Sequence, residues 1–280
     1  MISHILIHAI TSSAVSGALC GTSGALLMRL RLTTIGFLMA HAALAGAALG
    51  VYLGVDSTSL SLLFVVITGL ILGPLSDVLR LPSDLISMSL FSLYTALALI
   101  FVYFSPGTAL SAEAVSSILW GSVLAVTTGL LTLLIALLVI TILFILAFKL
   151  QLLATLYDRK LAEAEGVPVS TIIYSLIFLG GIVVALTLRV TGGFLVFSLL
   201  FNPSAAAFQL SDDIRKVVVL SAILGAISAQ MGLFISLYLD LPVGASIALM
   251  SSVTLASASL ISKGREYLTR KEVSRRVEEK

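Results

Sequence analysis

His41 is the residue whose type and position most clearly suggest chemistry in an apolar setting. It stands ten residues after Arg31, in a run without Asp, Glu, Lys or Arg. At helical rise this separation is about 15 Å. A buried imidazole can bind a metal or contact a substrate, and it can equally serve as a neutral hydrogen-bonding group between helices. From the residue alone, both interpretations stay open.

The other candidates for chemistry are weaker. His4 and His8 lie one helical turn apart, but two imidazoles without carboxylate or thiolate support make a poor metal site. Cys20 is the single cysteine, which excludes a disulfide framework and a cysteine-rich metal site, and we expect it to pack as a small apolar residue. Asn202 precedes Pro203, where its amide either faces a cavity or satisfies carbonyls freed by the proline.

The elements that position these residues follow from where the charges fall. Of 280 residues, 59% are hydrophobic and 11% are charged, whereas soluble domains carry about 25% charged residues. About 20 apolar residues span the hydrocarbon core as a helix. Nine uncharged windows reach that length: 1–28, 32–55, 57–76, 85–112, 114–148, 166–188, 190–211, 217–239 and 241–262. The pattern predicts an all-α, polytopic membrane protein with about nine transmembrane helices, eight being the alternative number.

Three of these windows carry further expectations. Window 1–28 has no basic residue before it, so we expect a retained span rather than a cleavable signal peptide. Window 114–148 is long, which predicts a short interfacial helix near 116–124, anchored by Trp120, before a span from about 128 to 148. Window 190–211 contains Gly192-Gly193 and a mid-span proline, and we expect an interrupted helix there.

The basic residues predict the orientation of the chain, because Lys and Arg collect in cytoplasmic loops. If the stretch after the first window is cytoplasmic, every Lys and Arg except Arg189 lies on that side. We therefore expect the amino terminus outside and the carboxyl terminus in the cytoplasm. The outer loops then hold Asp56, Glu113, Arg189 and Asp240, a mildly negative set that either favours arriving cations or is simply solvated.

The chain is predicted to form a single membrane domain over residues 1–262, with a charged cytoplasmic tail over 263–280. The main non-membrane piece is the cytoplasmic segment 149–168, where helix formers dominate, Gly166 suits a C-terminal cap and Pro168 stops the helix. A loose apolar stripe is formed by Leu152, Leu153, Leu156, Leu161 and Ala164. With three acids and three bases, this helix favours a protein groove over anionic lipid.

Several classes of function are excluded. No Gly-Lys-Ser/Thr sequence occurs, so the chain carries no phosphate-binding loop. The formal net charge is only +2, which argues against nucleic-acid binding. We therefore expect a protein that is not itself an enzyme, binds no cofactor, and takes any energy for active transport from another polypeptide.

Three segments resemble one family, the integral-membrane permease subunits of ATP-binding-cassette (ABC-3) importers for zinc, manganese and iron. Residues 29–46 read RLRLTTIGFLMAHAALAG, where the family has basic residues followed by G-D-x-x-S-H-A-x-L-P-G. Residues 157–168 read YDRKLAEAEGVP, similar to F-D-x-x-x-A-x-x-x-G-V-P. Residues 193–207 and 240–245 read GFLVFSLLFNPSAAA and DLPVGA, similar to the family's closing stretch. The ordered set covers most of residues 29–250.

The resemblance implies a homodimer in the plasma (inner) membrane of a prokaryote, two cytoplasmic ATPase subunits that bind ATP and magnesium, and an extracytoplasmic substrate-binding protein. His41 matches the family's intramembrane histidine on the metal path, with Asn202 as a second candidate. The cytoplasmic helix would couple to the ATPase. The candidate coupling residues are Tyr157, Asp158, Leu161, Glu163, Glu165 and Gly166.

One departure from the family concerns the cargo. The family's acidic residue four positions before the histidine is Phe37 here, and its proline is Ala45. Asp and His at i, i+4 share a helix face and would bind a divalent ion together. Losing the carboxylate weakens the case for manganese in particular, since Mn²⁺ prefers oxygen ligands. Two copies of His41 in a dimer would suit Zn²⁺, or the cargo is a chelate.

Two other functions remain as alternatives. An ion-coupled secondary transporter would need intramembrane ionisable groups, and only His41 qualifies in the middle of a window. A membrane scaffold without transport activity is the third hypothesis. We favour the permease subunit of an ATP-driven importer for zinc, manganese, iron or a chelate.

Overall fold

A computed structural model describes residues 2–105, 121–193 and 195–278. Across these ranges the secondary structure is helical, without strands. The α-helices are α1 Ile2–Arg29, α2 Thr33–Leu53, α3 Ser57–Leu79, α4 Ser83–Phe104, α5 Thr128–Ala147, α6 Lys149–Tyr157, α7 Arg159–Ala164, α8 Val169–Thr191, α9 Val196–Leu210, α10 Ile214–Leu239 and α11 Val243–Glu278.

Eight of the described helices are long and apolar enough to cross a membrane, and they are α1 to α5, α8, α10 and the first part of α11. The remaining uncharged window, 190–211, contains α9, which has only 15 residues. The prediction of an all-α polytopic membrane protein is therefore confirmed. The two predicted numbers of spans differ only in whether this short helix is included.

The two ends of the bundle are identified by their contacts. At the first, the Arg29 end, the Arg29 side chain donates to the carbonyl oxygen of Leu156 at 3.0 Å. At the other, the Asp56 end, Asp56 pairs with Arg189 at 3.3 Å. Helices α1 to α4 run back and forth between these ends, and α9 connects the Arg189 region to a groove at the Arg29 end. The two ends of the described chain thus lie at opposite ends of the bundle, and which end faces the cytoplasm stays a prediction.

Window 190–211 is interrupted as expected, but not at its proline. The break lies at Gly192, where φ is +86°, a conformation that glycine adopts without steric cost. Pro203 instead lies within α9. The neighbouring Ser204 hydroxyl lies 3.0 Å from the Gly21 carbonyl oxygen of α1. The proline is thus tolerated within α9 because this helix packs against its neighbours in the bundle.

The segment 149–168 is two helices rather than the single helix predicted. Asp158 has an extended backbone and separates α6 from α7, and its carboxylate accepts hydrogen bonds from the N–H groups of Lys160 and Leu161. An aspartate at this position begins a new helix because it satisfies N–H groups that lack partners in the first turn. Gly166 ends α7 at φ +82°, so the expected C-terminal cap is confirmed.

The segment's predicted apolar stripe is divided between two environments. Leu152 and Leu156 are buried against Leu26, Leu30 and α8. The later residues of the stripe, Leu161 and Ala164, are exposed. The first half of the segment therefore holds it on the bundle, whereas the second half is available to solvent or a partner.

Small residues bring three helices into backbone contact. A Cβ on Gly17 would lie 2.3 Å from the Gly225 carbonyl oxygen in α10, one on Gly21 would lie 2.0 Å from that of Ser221, and one on Gly24 would lie 1.7 Å from that of Leu200 in α9. Membrane helices associate largely through such close packing. These glycines fix α1 at the centre of the bundle.

The remaining expectations concern the chain around α5 and the tail. Helix α5 matches the predicted span from about 128 to 148. The predicted interfacial helix falls mostly outside the described residues, as does its anchor Trp120, and residues Val123–Ala125 form a 3₁₀ turn. The tail from residue 263 continues helix α11 as far as Glu278.

Candidate functional site

His41 lies in the middle of α2, and its side chain is only 4% exposed. Its ring packs on Phe91 of α4 with the ring centroids 4.2 Å apart, and it forms a hydrogen bond with the backbone of Phe37 one turn earlier. Both α2 and the packing partner place the imidazole inside the bundle. The imidazole nitrogens can therefore contact a cargo only from a side that Phe91 of α4 does not cover.

Phe37 occupies the position where the family has a carboxylate, and its surroundings are aromatic. Its ring lies 5.2 Å from the ring of Phe197 and 5.2 Å from that of Phe201, both in α9. An unpaired carboxylate among these rings would be strongly disfavoured. The exchange to phenylalanine is therefore matched by its neighbours, and the side chain joins α2 to α9 by packing instead of binding an ion.

Asn202 forms hydrogen bonds with a neighbouring helix. Its side-chain nitrogen donates to the hydroxyls of Ser251 and Ser252 in α11, at 3.0 and 3.1 Å. The amide nitrogen thus connects α9 to α11, and a role of Asn202 on the cargo path stays a prediction. Within the described ranges, no group of three or more His, Cys, Asp or Glu residues could hold a metal ion.

The two other sequence candidates are the histidine pair His4 and His8, and Cys20. The His4 side chain falls outside the described residues, so the proposed histidine pair at the start of α1 has no described geometry. Cys20 is completely buried, and its sulfur lies 3.5 Å from the Thr187 hydroxyl. Its surroundings are those of a small packing residue.

Four of the six candidate coupling residues line one groove of about 490 Å³ at the Arg29 end. They are Tyr157, Asp158, Leu161 and Glu165. Tyr157 is 83% exposed and Leu161 is 57% exposed, so two large side chains with apolar surface flank a concave site. Glu163 does not line this groove, and Gly166 shapes the end of α7.

Two arginines connect the α6–α7 segment to the end of α1, and each donates a hydrogen bond to a main-chain oxygen on the other side. Arg29 of α1 donates to the Leu156 carbonyl oxygen, and Arg159 of the segment donates to the Leu30 carbonyl oxygen. Hydrogen bonds from a charged donor are stronger than those between neutral groups. These two bonds therefore hold the segment against the end of α1.

The other side of the groove was not predicted from the sequence. Asp212, Asp213 and Arg215 line it together with the coupling residues. Asp213 also begins α10, since its carboxylate accepts from the Arg215 N–H at 3.0 Å. Two signals were present: a short charged gap between windows 190–211 and 217–239, and an aspartate immediately before an apolar run, which is typical of a helix start.

At the opposite end of the bundle, Asp56 and Arg189 join three segments. Besides the ion pair, the Arg189 carbonyl oxygen accepts from the Ser122 N–H at 3.0 Å. Both the hydroxyl and the N–H of Ser59 donate to Asp56 at 2.8 Å. These bonds, aided by the positive charge of Arg189, hold the pKa of the Asp56 carboxyl below its ordinary value. Asp56 is therefore ionised across the physiological pH range.

Comparison with known sequences gives one consistent result. The family model described as the ABC 3 transport family matches residues 3–262. A manganese transport system membrane protein, MntC of Halalkalibacterium halodurans, is 30% identical over 94% of this chain and 89% of its own length. A chelated iron transport system membrane protein, YfeC of Yersinia pestis, is 27% identical over 90% of this chain and 85% of its own.

Among solved structures, PsaBC from Streptococcus pneumoniae in complex with Fab contains a chain with a TM-score of 0.84 and 28% identity, and the match covers 96% of this chain and 95% of that chain. The two relatives compared by sequence are named as membrane proteins of metal transport systems, in agreement with the long apolar helices described above. The family match across nearly the whole length is decisive: this chain, a multi-pass membrane protein of a prokaryote, belongs to the ABC 3 transport family.

Proposed function

We propose that this chain is the membrane-spanning permease subunit of an ATP-driven importer for a transition metal, carried as the ion or as a chelate. The observation that carries the proposal is the buried His41. Among Asp, Glu, Lys, Arg and His, it is the residue that lies well away from the ends of the described spans. In a metal-transport family, a nitrogen ligand held at that depth suits a metal cargo.

The identity of the cargo follows from what surrounds the imidazole. The aromatic neighbours of Phe37 supply no oxygen ligand, which disfavours a bare hard ion such as Mn²⁺ at this level of the pathway. A second His41 from a homodimer would supply another nitrogen, as Zn²⁺ accepts. Alternatively, a chelate brings its own ligands and needs only shape and a hydrogen-bonding group. The named cargoes of the relatives, manganese and chelated iron, define the range to test.

The energy source in this proposal is a separate cytoplasmic ATPase that docks at the Arg29 end. Family membership supports it, and so do the exposed side chains of the α6–α7 segment, which offer a surface for a partner. An external binding protein would deliver the cargo to the Asp56 end. The chain would act in the plasma membrane, with its α11 extension in the cytoplasm.

The test is uptake by proteoliposomes that contain the permease, its ATPase and ATP, with the binding protein outside and the cargo supplied as Mn²⁺, Zn²⁺ or an iron chelate. We expect uptake of one cargo class that requires ATP and the ATPase. The control is the permease alone under an imposed proton or sodium gradient. Robust uptake in that control would contradict the proposal and favour an ion-coupled carrier.

A further inference from the structure

The groove at the Arg29 end has a second wall that the coupling helix does not supply. Asp212 and Asp213, which connect α9 to α10, face the groove from the side opposite the α6–α7 segment. With Asp158 and Glu165 the lining contains four carboxylates, against the two guanidinium groups of Arg29 and Arg215, a difference of two negative charges. The groove is therefore acidic, although the chain as a whole is slightly basic.

The four carboxylates are not equivalent. Asp158 and Asp213 accept hydrogen bonds from the first N–H groups of α7 and α10, so their positions are fixed by the helices that they begin. In the described part of the chain, by contrast, no hydrogen bond or ion pair involves the carboxylates of Glu165 and Asp212. These two negative charges are available to a partner.

The groove also offers apolar surface, which a purely solvated charge cluster would not. Tyr157 and Leu161 are both exposed at its rim, and Ile214 and Leu153 lie in its lining. A lysine or arginine can lay its aliphatic stem on such surface while its charged head meets a carboxylate. An anionic lipid head group would be repelled by the excess of negative charge.

We infer that this groove is a second half of the ATPase contact and receives a basic segment of the ATPase subunit, with Glu165 and Asp212 as the charges that hold it. The inference rests on the function proposed above. It extends the contact from the α6–α7 segment to the α9–α10 connection. The ATPase would then contact the permease at two places at once, the α6–α7 segment and the α9–α10 connection.

The second contact has a mechanical consequence that the coupling helix alone would not have. The α9–α10 connection ends the helix whose Phe197 and Phe201 pack on Phe37. Phe37 lies one turn before His41 in α2. A shift of the connection therefore acts through two aromatic contacts on the helix that carries the candidate cargo residue.

The test measures binding of the ATPase subunit to the purified permease in nanodiscs, with the double variant Glu165→Gln/Asp212→Asn. Loss of one exposed charge contact corresponds to about a threefold change in Kd, and loss of two to about a tenfold change. We therefore expect Kd to rise about tenfold at low salt, with a smaller difference at about 0.5 M salt because exposed charges are screened. Asp240→Asn, which removes the same kind of charge at the opposite end, should bind like the wild type.

Two outcomes would overturn the inference. One is an unchanged Kd for the double variant at both salt concentrations, while the wild type binds and stimulates the ATPase. The other is an equal loss of affinity in Asp84→Asn, which removes a carboxylate at the same end of the bundle but outside this groove, because the loss would then be a general effect of charge at that end. If the wild-type permease does not bind the ATPase at all, the proposed function itself fails.

Discussion

His41 combines two properties whose effects must be separated experimentally. Its ring volume fills space against Phe91, and its nitrogens offer chemistry that no other residue in the middle of α2 can supply. Imidazole is the ionisable group best suited to this depth, because its neutral form is accessible near physiological pH. A carboxylate or an ammonium group at the same place would be costly without a partner.

Substitution of His41 with leucine and with alanine distinguishes these two properties. Leucine keeps most of the volume and removes the nitrogens, whereas alanine removes both. If the imidazole contacts the cargo, ATP-dependent uptake should fall about tenfold or more in both variants, as is typical when a metal-binding group is removed. Initial rates of uptake, corrected for the amount of inserted protein, are the measurement.

His8→Ala is the matched control, because it removes an imidazole near the start of α1 and should leave uptake unchanged. Wild-type uptake by His41→Leu would assign the residue to packing alone. In that case only His41→Ala should change the protein, through the cavity that it leaves.

Asp56 gives a prediction for the dependence of stability on pH. Its folded-state pKa lies below its ordinary value of 3.8, so folding is favoured when the carboxylate is ionised. The contribution is fully present above that ordinary value and is lost as the pH falls through the lower, folded-state pKa. Asp56→Asn should therefore lower Tm by a constant amount above about pH 5, with a difference from wild type that shrinks below about pH 4.

The measurement is Tm of the detergent-solubilised protein between neutral and acidic pH. Asp240→Asn serves as the control, since it also removes a carboxylate from the Asp56 end. A Tm difference for Asp56→Asn that persists unchanged to the lowest pH would contradict the explanation, because the ionised carboxylate could not then be its source.

Single residues show where prediction from the sequence reaches its limit. The depth of His41 followed from counting residues after Arg31, because a helix in lipid has a fixed rise. Its contact with Phe91 did not, since no pattern along the chain specifies which helix face meets which neighbour. The aromatic neighbours of Phe37 were equally hidden, because they come from a helix that begins more than 150 residues later.

The helices could be predicted where apolar length alone determines them. They could not be predicted where helix propensity competes with capping or tertiary packing. The long spans follow from apolar length alone, and α5 was placed within a residue of its described end. The break between α6 and α7 was missed because the strong helix propensity around Asp158 masked its role as a cap. The break in window 190–211 was assigned to Pro203 instead of Gly192 because tertiary packing decides whether a proline is tolerated.

The glycine contacts of α1 give a prediction at the level of helix packing. A Cβ on Gly24 would overlap the Leu200 carbonyl oxygen, so Gly24→Ala must push α1 and α9 apart. Overpacking of this kind typically costs about 1–3 kcal/mol. We expect a lower Tm and a smaller yield of folded protein, measured by thermal unfolding in detergent and by size-exclusion chromatography.

Gly129→Ala is the matched control for this substitution. A Cβ there would have its nearest neighbour at 4.0 Å, the Thr127 hydroxyl, and alanine is the better helix former. This variant should be as stable as the wild type or slightly more so. Equal stability of Gly24→Ala and Gly129→Ala would show that the α1–α9 contact has room to relax.

The whole molecule combines a short ninth helix with opposite ends for its two termini. When α9 is counted with the eight long helices, the described chain crosses the bundle nine times. Because nine is odd, we expect the start of the described chain and the α11 extension to lie on different sides of the membrane. The distribution of Lys and Arg predicts that the extension is cytoplasmic.

Labelling of introduced cysteines tests this topology. A membrane-impermeant maleimide added to intact cells should label Asp240→Cys, whereas Lys263→Cys should be labelled only after permeabilisation. The wild type is the internal control, since Cys20 is completely buried and should not react under either condition. The reverse labelling pattern would contradict the predicted orientation, and equal labelling of both variants from outside would show that α11 does not cross the membrane.

The hydrogen bonds of Arg29 and Arg159 have a consequence for how the contact between α1 and the α6–α7 segment can evolve. Both guanidinium groups bind main-chain oxygens, so these two hydrogen bonds do not depend on the side chains at residues 30 and 156. Because Leu30 and Leu156 are also buried in an apolar cluster, we expect these two positions to vary among homologues only from one apolar residue to another. If the proposed ATPase changes its surface during evolution, the exposed residues of the α6–α7 segment can change with it. The two arginine hydrogen bonds would meanwhile keep the segment in the same position relative to α1.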